Sequence, residues 1–401
     1  MNELQYRKFN ARTATAYCFI ISVIYAMSGA VFSTLLPSMI SSYNLTLADS
    51  SLLSVAESIG SAIAMVISML AADRLDRRGS LIVTCLLYGA AFLWESTAPA
   101  FTLFLALRLC VGLTDRYLDS LTAAYMSDIY EERRGRVISV MHLIYSIGML
   151  LAPTFAATIL RTTGTWSPTY RYLGFAFLIM GTAYLLISIF VKSPEAKVRK
   201  TAKVKKVIPY KEMLRSKKIW ALMFYSFFAG SHYYFTLIPT YLEGKDISRY
   251  SIVFVSAMLT AGTIGNLISR MTLSIFTDKL KPQHVIPLTT IVGNALVCSA
   301  LLFFTGNRYL VVVLYVIYSF LVGSNYTMKF IMACEEFPKA SATVISATSL
   351  AVAAGNIVFS RLIGVIADKF GYLASTAVHF PCIVIASAFI IWGYSGRKKT
   401  V

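Results

Sequence analysis

Arg108, Asp115, Arg116 and Asp119 lie within one stretch, roughly residues 100–125, that is otherwise apolar and long enough to cross a bilayer. On a helix that turns ~100° per residue, Arg108, Asp115 and Asp119 fall within a ~40° arc and Arg116 flanks it. Charges at bilayer depth are costly, so such residues face a protein interior or a water-filled cavity. The chemistry this face offers is proton binding by Asp115 or Asp119, with the arginines either tuning the acids or neutralising them as a packing network. Rise per residue puts Arg108 about 10 Å from the outer end of its helix and Asp119 about 28 Å from it. Glu57, about 9 Å along its own helix, is level with Arg108, and His142 enters from the other side near the level of Asp119. Two cross-helix pairs are therefore expected, Glu57 with Arg108 and Asp119 with His142. The second could pass a proton, because an imidazole titrates near neutrality.

The elements that must position these groups are read from composition. Hydrophobic residues make up 57% of the 401 positions and charged residues 14%, against about a quarter charged in soluble domains. Twelve membrane-length runs recur, near 15–41, 51–72, 80–96, 100–126, 136–160, 171–191, 218–242, 250–276, 284–304, 309–332, 341–366 and 373–394. The first follows Arg7, Lys8 and Arg12 but is too long for a signal segment, so it reads as a retained helix. The expected fold is an all-α membrane protein of twelve transmembrane helices in two six-helix, pseudo-symmetric halves.

The formal charge of +18 does not point to nucleic acid. Of 37 Lys and Arg, 26 fall in the N-terminus, the even-numbered loops, the central linker and the C-terminus. This bias places both termini in the cytoplasm, with anionic lipid headgroups as partners of the basic loops. The six cysteines sit singly in apolar runs without metal-ligand spacing, and no metal or cofactor is expected. Residues 192–217 break the pattern as a basic cytoplasmic linker, dividing the chain into 1–191 and 218–401. Asp73-Arg74 after the second run and Asp278-Lys279 after the eighth are 205 residues apart. Such matched punctuation argues for an internal duplication.

Several motifs together resemble the major facilitator superfamily. The loop after the second run, Met69-Leu70-Ala71-Ala72-Asp73-Arg74-Leu75-Asp76-Arg77-Arg78, is similar to the family's G-x-L-x-D-R-x-G-R-R signature, with Met69 and Asp76 at the glycine positions. Arg108-x-x-x-Gly112, Gly148 with Pro153, and Gly364 through Gly371 resemble further family elements. Gly112-Leu113-Thr114-Asp115 with Asp119, followed by Arg134-Gly135-Arg136 and His142, looks closest to sugar porters of the fucose-permease type. Gly265-Asn266 departs from the Gly-Arg often found there. The resemblance implies alternating access of two halves, with Asp73, Arg74, Arg77 and Arg78 as a conformational latch.

The expected proton-coupling set is Asp115, Asp119, Arg108, Glu57 and His142. Five buried bases (Arg108, Arg116, Arg270, Lys329 and Arg361) against three acids (Glu57, Asp115 and Asp119) suggest a cavity suited to an anionic solute. The expected substrate-binding set is Tyr25, Arg116, His232, Tyr233, Asn325, Tyr326, Lys329, Asn356 and Arg361, since aromatic faces and amides suit sugar rings. No Gly-rich phosphate loop, His-Glu-x-x-His or G-x-S-x-G occurs, which argues against ATP-driven transport and membrane-embedded catalysis. The leading expectation is a monomeric inner-membrane symporter that imports a sugar or sugar-like organic acid with protons. A proton-antiport exporter of drugs or metabolites is the alternative, and a non-transporting receptor is the third reading.

Overall fold

The computed structural model describes residues 3–71, 76–130, 134–190, 210–243, 250–276, 280–337 and 341–395. The described residues are helical almost throughout: α1 (Glu3–Tyr43), α2 (Leu47–Ala71), α3 (Arg77–Glu95), α4 (Phe101–Ile129), α5 (Arg134–Thr163) and α6 (Ser167–Phe190) come first. After α7 (Tyr210–Met213), the seventh span is built from α8 (Lys217–Ala229), a 3-10 turn Gly230–His232, α9 (Tyr233–Thr236) and α10 (Ile238–Glu243). Then follow α11 (Ile252–Phe276), α12 (Pro282–Phe303), α13 (Arg308–Val322) with α14 (Asn325–Glu336) as one interrupted span, α15 (Ser341–Phe370) and α16 (Thr376–Tyr394). The twelve expected spans are thus all present. Nine of the described stretches are long and apolar enough to cross a membrane. The other three are α3 and α4, which carry ionisable residues, and the broken seventh span.

Local chemistry sets the helix ends. Asp76 caps α3 by accepting from the Gly79 amide at 2.7 Å, and Ser216 caps α8 from Ile219 at 3.3 Å. Asn307 does the same for α13 through Leu310, and Pro282 opens α12 where a missing N–H costs nothing. α5 is followed by Gly164 at φ +72° and α15 by Gly371 at φ +85°, a left-handed conformation open to glycine. Val83, Leu87 and Trp94 on α3 and Ile179, Leu186 and Ile189 on α6 are large apolar side chains left exposed, as lipid contact requires.

Packing groups the chain into two units, residues 1–32 with 63–207 and residues 33–62 with 208–401. In the first, α3 packs on α4 and α6. Gly148 brings α5 so close to α1 that a Cβ there would overlap the Val23 carbonyl. In the second, α8 packs on α15 and α16, and a Cβ at Gly355 would overlap the Phe227 carbonyl. Gly148 and Gly355 are 207 residues apart, as are Gly164 and Gly371. The duplication read from charged loops is therefore also present in the backbone crossings.

Residues 33–62 join the second unit through a strap at the start of α2. Arg361 donates from Nη1 to the Ala48 carbonyl, and the Leu47 amide donates to Asp368 Oδ1 at 3.2 Å. Between them, Gly364 leaves room for Ser51, and the Tyr233 hydroxyl lies 3.3 Å from Ser50 Oγ. Arg361, Gly364 and Asp368 share one face of α15. Arg361 and Tyr233, expected at the solute site, each have a partner on α2.

Candidate functional site

In the first unit the acids of α4 form a compact, partly solvated cluster. Asp115 and Asp119 are both half-buried, and Arg116 is exposed between them at 3.7 Å from Asp115 and 3.9 Å from Asp119. The Tyr25 hydroxyl donates to Asp119 Oδ1 at 2.9 Å, and the Tyr88 hydroxyl donates to Asp115 Oδ1 at 3.2 Å. Ser28 Oγ lies 2.8 Å from the Tyr88 hydroxyl and donates to the Tyr25 carbonyl. Two carboxylates on one face thus each hold a phenol donor and share one guanidinium. Both carboxylates thereby remain candidates for binding and releasing a proton.

Arg108 belongs to a different structure. It is 1% exposed, stands 3.7 Å from Glu95 of α3, and lies 4.7 Å over the Phe32 ring with the Tyr170 hydroxyl at 3.5 Å. Glu95 is itself fully buried. The carboxylate beside Arg108 is therefore Glu95, which stands at the end of the third apolar run and was left out of the buried-charge count. Including it makes four acids against five bases, and the intramembrane excess falls to one. Glu57 is half-buried on α2 and belongs to the second packing unit. His142 lies on α5, but its side chain is outside the described residues, as are Asp73 and Arg74. Arg77 and Arg78 are buried, with the Arg78 guanidinium 5.0 Å over the Tyr184 ring.

Among the described residues, the second unit has no comparable cluster of acids. Its centre is a buried network of neutral polar groups that the sequence reading largely missed. His379 of α16 is fully buried, with Nε2 2.9 Å from Asn294 Oδ1 and Nδ1 3.0 Å from Ser231 Oγ. Asn294 Nδ2 donates to the Thr290 carbonyl at 2.7 Å. Asn325 Nδ2 donates to Thr290 Oγ1 at 2.8 Å, and Thr289 donates to Asn325 Oδ1 at 2.9 Å. The Tyr225 hydroxyl stands 3.4 Å from Thr290 Oγ1.

Lys329, one helical turn beyond Asn325, is 3% exposed. Its ammonium lies 4.9 Å from the ring centres of both Tyr326 and Phe330. Among the described residues it has no carboxylate partner. Aromatic faces stabilise a desolvated ammonium but do not neutralise it. His232 is exposed, close enough to Lys329 for electrostatic interaction, and its ring is 6.4 Å from that of His379. Tyr326 is also exposed, and Asn356 follows Gly355 at the helix crossing. His232, Asn325, Tyr326 and Lys329 thus share one polar region, and Tyr25 and Arg116 belong to the acid cluster of the first unit.

The interrupted spans bring these groups together. A Cβ on Gly230 would overlap the Gly355 backbone, so α15 crosses at the point where the seventh span changes to a 3-10 turn. The tenth span breaks at Gly323-Ser324, with Ser324 Oγ 2.7 Å from Ser269 Oγ. Polar side chains at broken helices are a recurring way to build a solute site in a membrane.

The family model of the Major Facilitator Superfamily matches residues 18–360. The chain belongs to that superfamily. It is 28% identical over 165 residues to a putative metabolite transport protein of Bacillus subtilis, covering 40% of this chain and 34% of that one. It is 26% identical over 191 residues to the galactose-proton symporter of Escherichia coli, covering 46% and 40%. The chain thus spans well under half the length of these curated relatives. The crystal structure of a D-xylose-proton symporter superposes with a TM-score of 0.75 at 16% identity, covering 94% of this chain and 96% of that one. At that identity the likeness shows the fold, which is the expected one. Membership places the chain among membrane carriers rather than enzymes.

Proposed function

We propose that this member of the superfamily is a secondary carrier that moves a small polar organic solute together with protons. Its two halves, 1–191 and 218–401, would rock about the solute site, with 192–217 as the cytoplasmic linker. The solute is a sugar or, better fitted to this site, a sugar acid or similar carboxylate. One observation carries the preference for an anion: Lys329 is buried against two aromatic rings with no acidic partner among the described residues. Asn325 beside it supplies amide groups for hydroxyls, and Tyr326 supplies a ring face. The proton sites are Asp115 and Asp119, which retain water access and sit apart from the structural Arg108–Glu95 pair.

A monomer in the cell inner membrane suits this reading, with both termini cytoplasmic and the basic loops against anionic lipid. The named activities of the galactose and xylose symporters support proton-coupled sugar import. Gly148, which with Pro153 resembles a family element, packs against Val23, a role that serves import or export alike. A thermal-shift screen on the purified full chain tests the solute class, since a ligand that binds the folded state raises its melting temperature. D-glucuronate or D-galacturonate should stabilise the protein more than D-galactose, and cationic drugs should not stabilise it. Stabilisation by cationic drugs without any response to the sugar acids would instead establish the exporter reading.

A further inference from the structure

The seventh and tenth spans are each interrupted, and the residues assigned to the solute follow the interruptions: His232 ends the 3-10 turn, while Asn325 and Lys329 lie on the first turns of α14. One chain of buried hydrogen bonds runs from one interruption to the other. It begins at Ser231, passes through His379 and Asn294 to the backbone carbonyl of Thr290, and resumes from the Thr290 hydroxyl to Asn325. All five residues are at most 3% exposed.

The donors and acceptors at Asn294 set the order of this chain. The Thr290 carbonyl can only accept, so the Asn294 side chain must present Nδ2 to it and Oδ1 to His379. A flipped amide would set two oxygens against each other. Asn294 Oδ1 can only accept, so His379 carries its proton on Nε2. In the neutral ring Nδ1 is then left as an acceptor for the Ser231 hydroxyl at 3.0 Å, and the Ser231 carbonyl, 3.2 Å away, can only accept and gains no bond from this tautomer. A helix carbonyl on α12 thereby fixes the tautomer of a histidine on α16, and that tautomer holds the turn that carries His232. The Tyr234 ring stacks on His379 at 4.7 Å and 2°, with its hydroxyl 3.0 Å from Thr376 Oγ1, so the imidazole plane is also fixed.

We propose that His379 is a positioning residue that joins the two helix interruptions, holding His232 in a fixed geometry relative to Asn325 and Lys329. It touches no solute and acts through Ser231 and Asn294. Fully satisfied buried networks of this kind fix one geometry, because each broken bond leaves a desolvated polar group. The functional part of the proposal rests on the solute site described above.

The test uses the full chain, labelled with 15N-histidine, in detergent micelles. The chain has four histidines, and the His379 signals are those lost in His379→Gln. They should report a neutral ring with the proton on Nε2 and an Nδ1 that accepts a hydrogen bond. Ser231→Ala should shift the Nδ1 signal, and Asn325→Ala, which removes no direct partner of either ring, should move the signals of both His379 and His232. A proton on Nδ1, or His232 and His379 signals unmoved by Asn325→Ala, would overturn the linkage.

A transport arm measures D-glucuronate uptake into proteoliposomes. His379→Phe, which keeps the ring but has neither donor nor acceptor, should raise the half-saturating concentration tenfold or more. His379→Gln, which can supply both, should restore it to within about threefold. An unaltered half-saturation in the Phe variant, or a Gln variant no better than Phe, contradicts the positioning role. Failure of the native protein to take up D-glucuronate would count against the solute assignment alone, and the tautomer measurements would still decide the linkage.

Discussion

Gly148 seats α5 on the Val23 carbonyl of α1, and 207 residues later Gly355 seats α15 on the Phe227 carbonyl of α8. Around these equivalent crossings the two units hold different chemistry. The first keeps its long helices unbroken and places charge on them: Asp115, Arg116 and Asp119 beside water, and Arg108 with Glu95 out of it. The second interrupts two spans and places neutral donors and acceptors at the interruptions, with Lys329 as a buried cation among them. A proton needs a titratable group that stays hydrated, and continuous helices can present one without exposing backbone. A solute needs directed hydrogen bonds at fixed places, which broken helices and their buried supports provide. The two units share a scaffold, and the proposed division assigns the proton to the first and the solute to the second.

The shared scaffold breaks first under Gly355→Ala or Gly148→Ala. Each added Cβ must displace a helix, and overpacking of this kind costs about 3 kcal/mol or more. Both variants should lose most folded protein in a detergent melting assay, and by similar amounts if the crossings are equivalent. The structural charge pair comes next. Glu95→Gln strands the buried Arg108 guanidinium and should destabilise by about 3 kcal/mol, lowering the melting temperature without changing which solutes bind. Asp119→Asn, on the hydrated cluster, should leave that temperature nearly unchanged.

The division between proton and solute is sharpened by Lys329→Met. It should raise the half-saturating concentration for D-glucuronate at least tenfold, change that for D-galactose by less than threefold, and leave the pH dependence of uptake as it was. Equal losses for the two solutes would remove the anion assignment. Smallest is Tyr25→Phe, which takes one donor from a partly solvated Asp119. The loss of about 0.5–1 kcal/mol should lower gradient-driven uptake by about two- to fivefold.

The fold was legible because its signals are large: twelve apolar runs, charge confined to alternate loops, and punctuation repeating at a fixed offset. The acid cluster was legible for the same reason, as a carboxylate in an apolar run stands out. Tyr88 and Ser28, which hold Asp115 and its neighbour, were not, because neutral polar residues abound in such helices and only the fold shows which face each other. Glu95 was overlooked because it ends its run, where a charge reads as the start of a loop. Pro239 follows the break between α9 and α10, but the 3-10 turn at Gly230 and the break at Gly323-Ser324 carry no proline. The first arises where Gly230 meets Gly355, a tertiary contact that local sequence does not encode. His379 and Asn294 had a signal that could have been used, since an imidazole and an amide mid-run in two neighbouring spans are costly unless paired.

In the proposed mechanism, proton binding resides on α4 and solute binding on the interrupted spans. D-glucuronate flux in proteoliposomes tests it most directly, comparing Asp119→Asn with native protein in two modes. Counterflow, which needs solute binding and rocking but no net proton movement, should persist in the variant, while accumulation driven by an inward pH gradient should vanish. Gradient-driven accumulation equal to that of the native protein would contradict the claim.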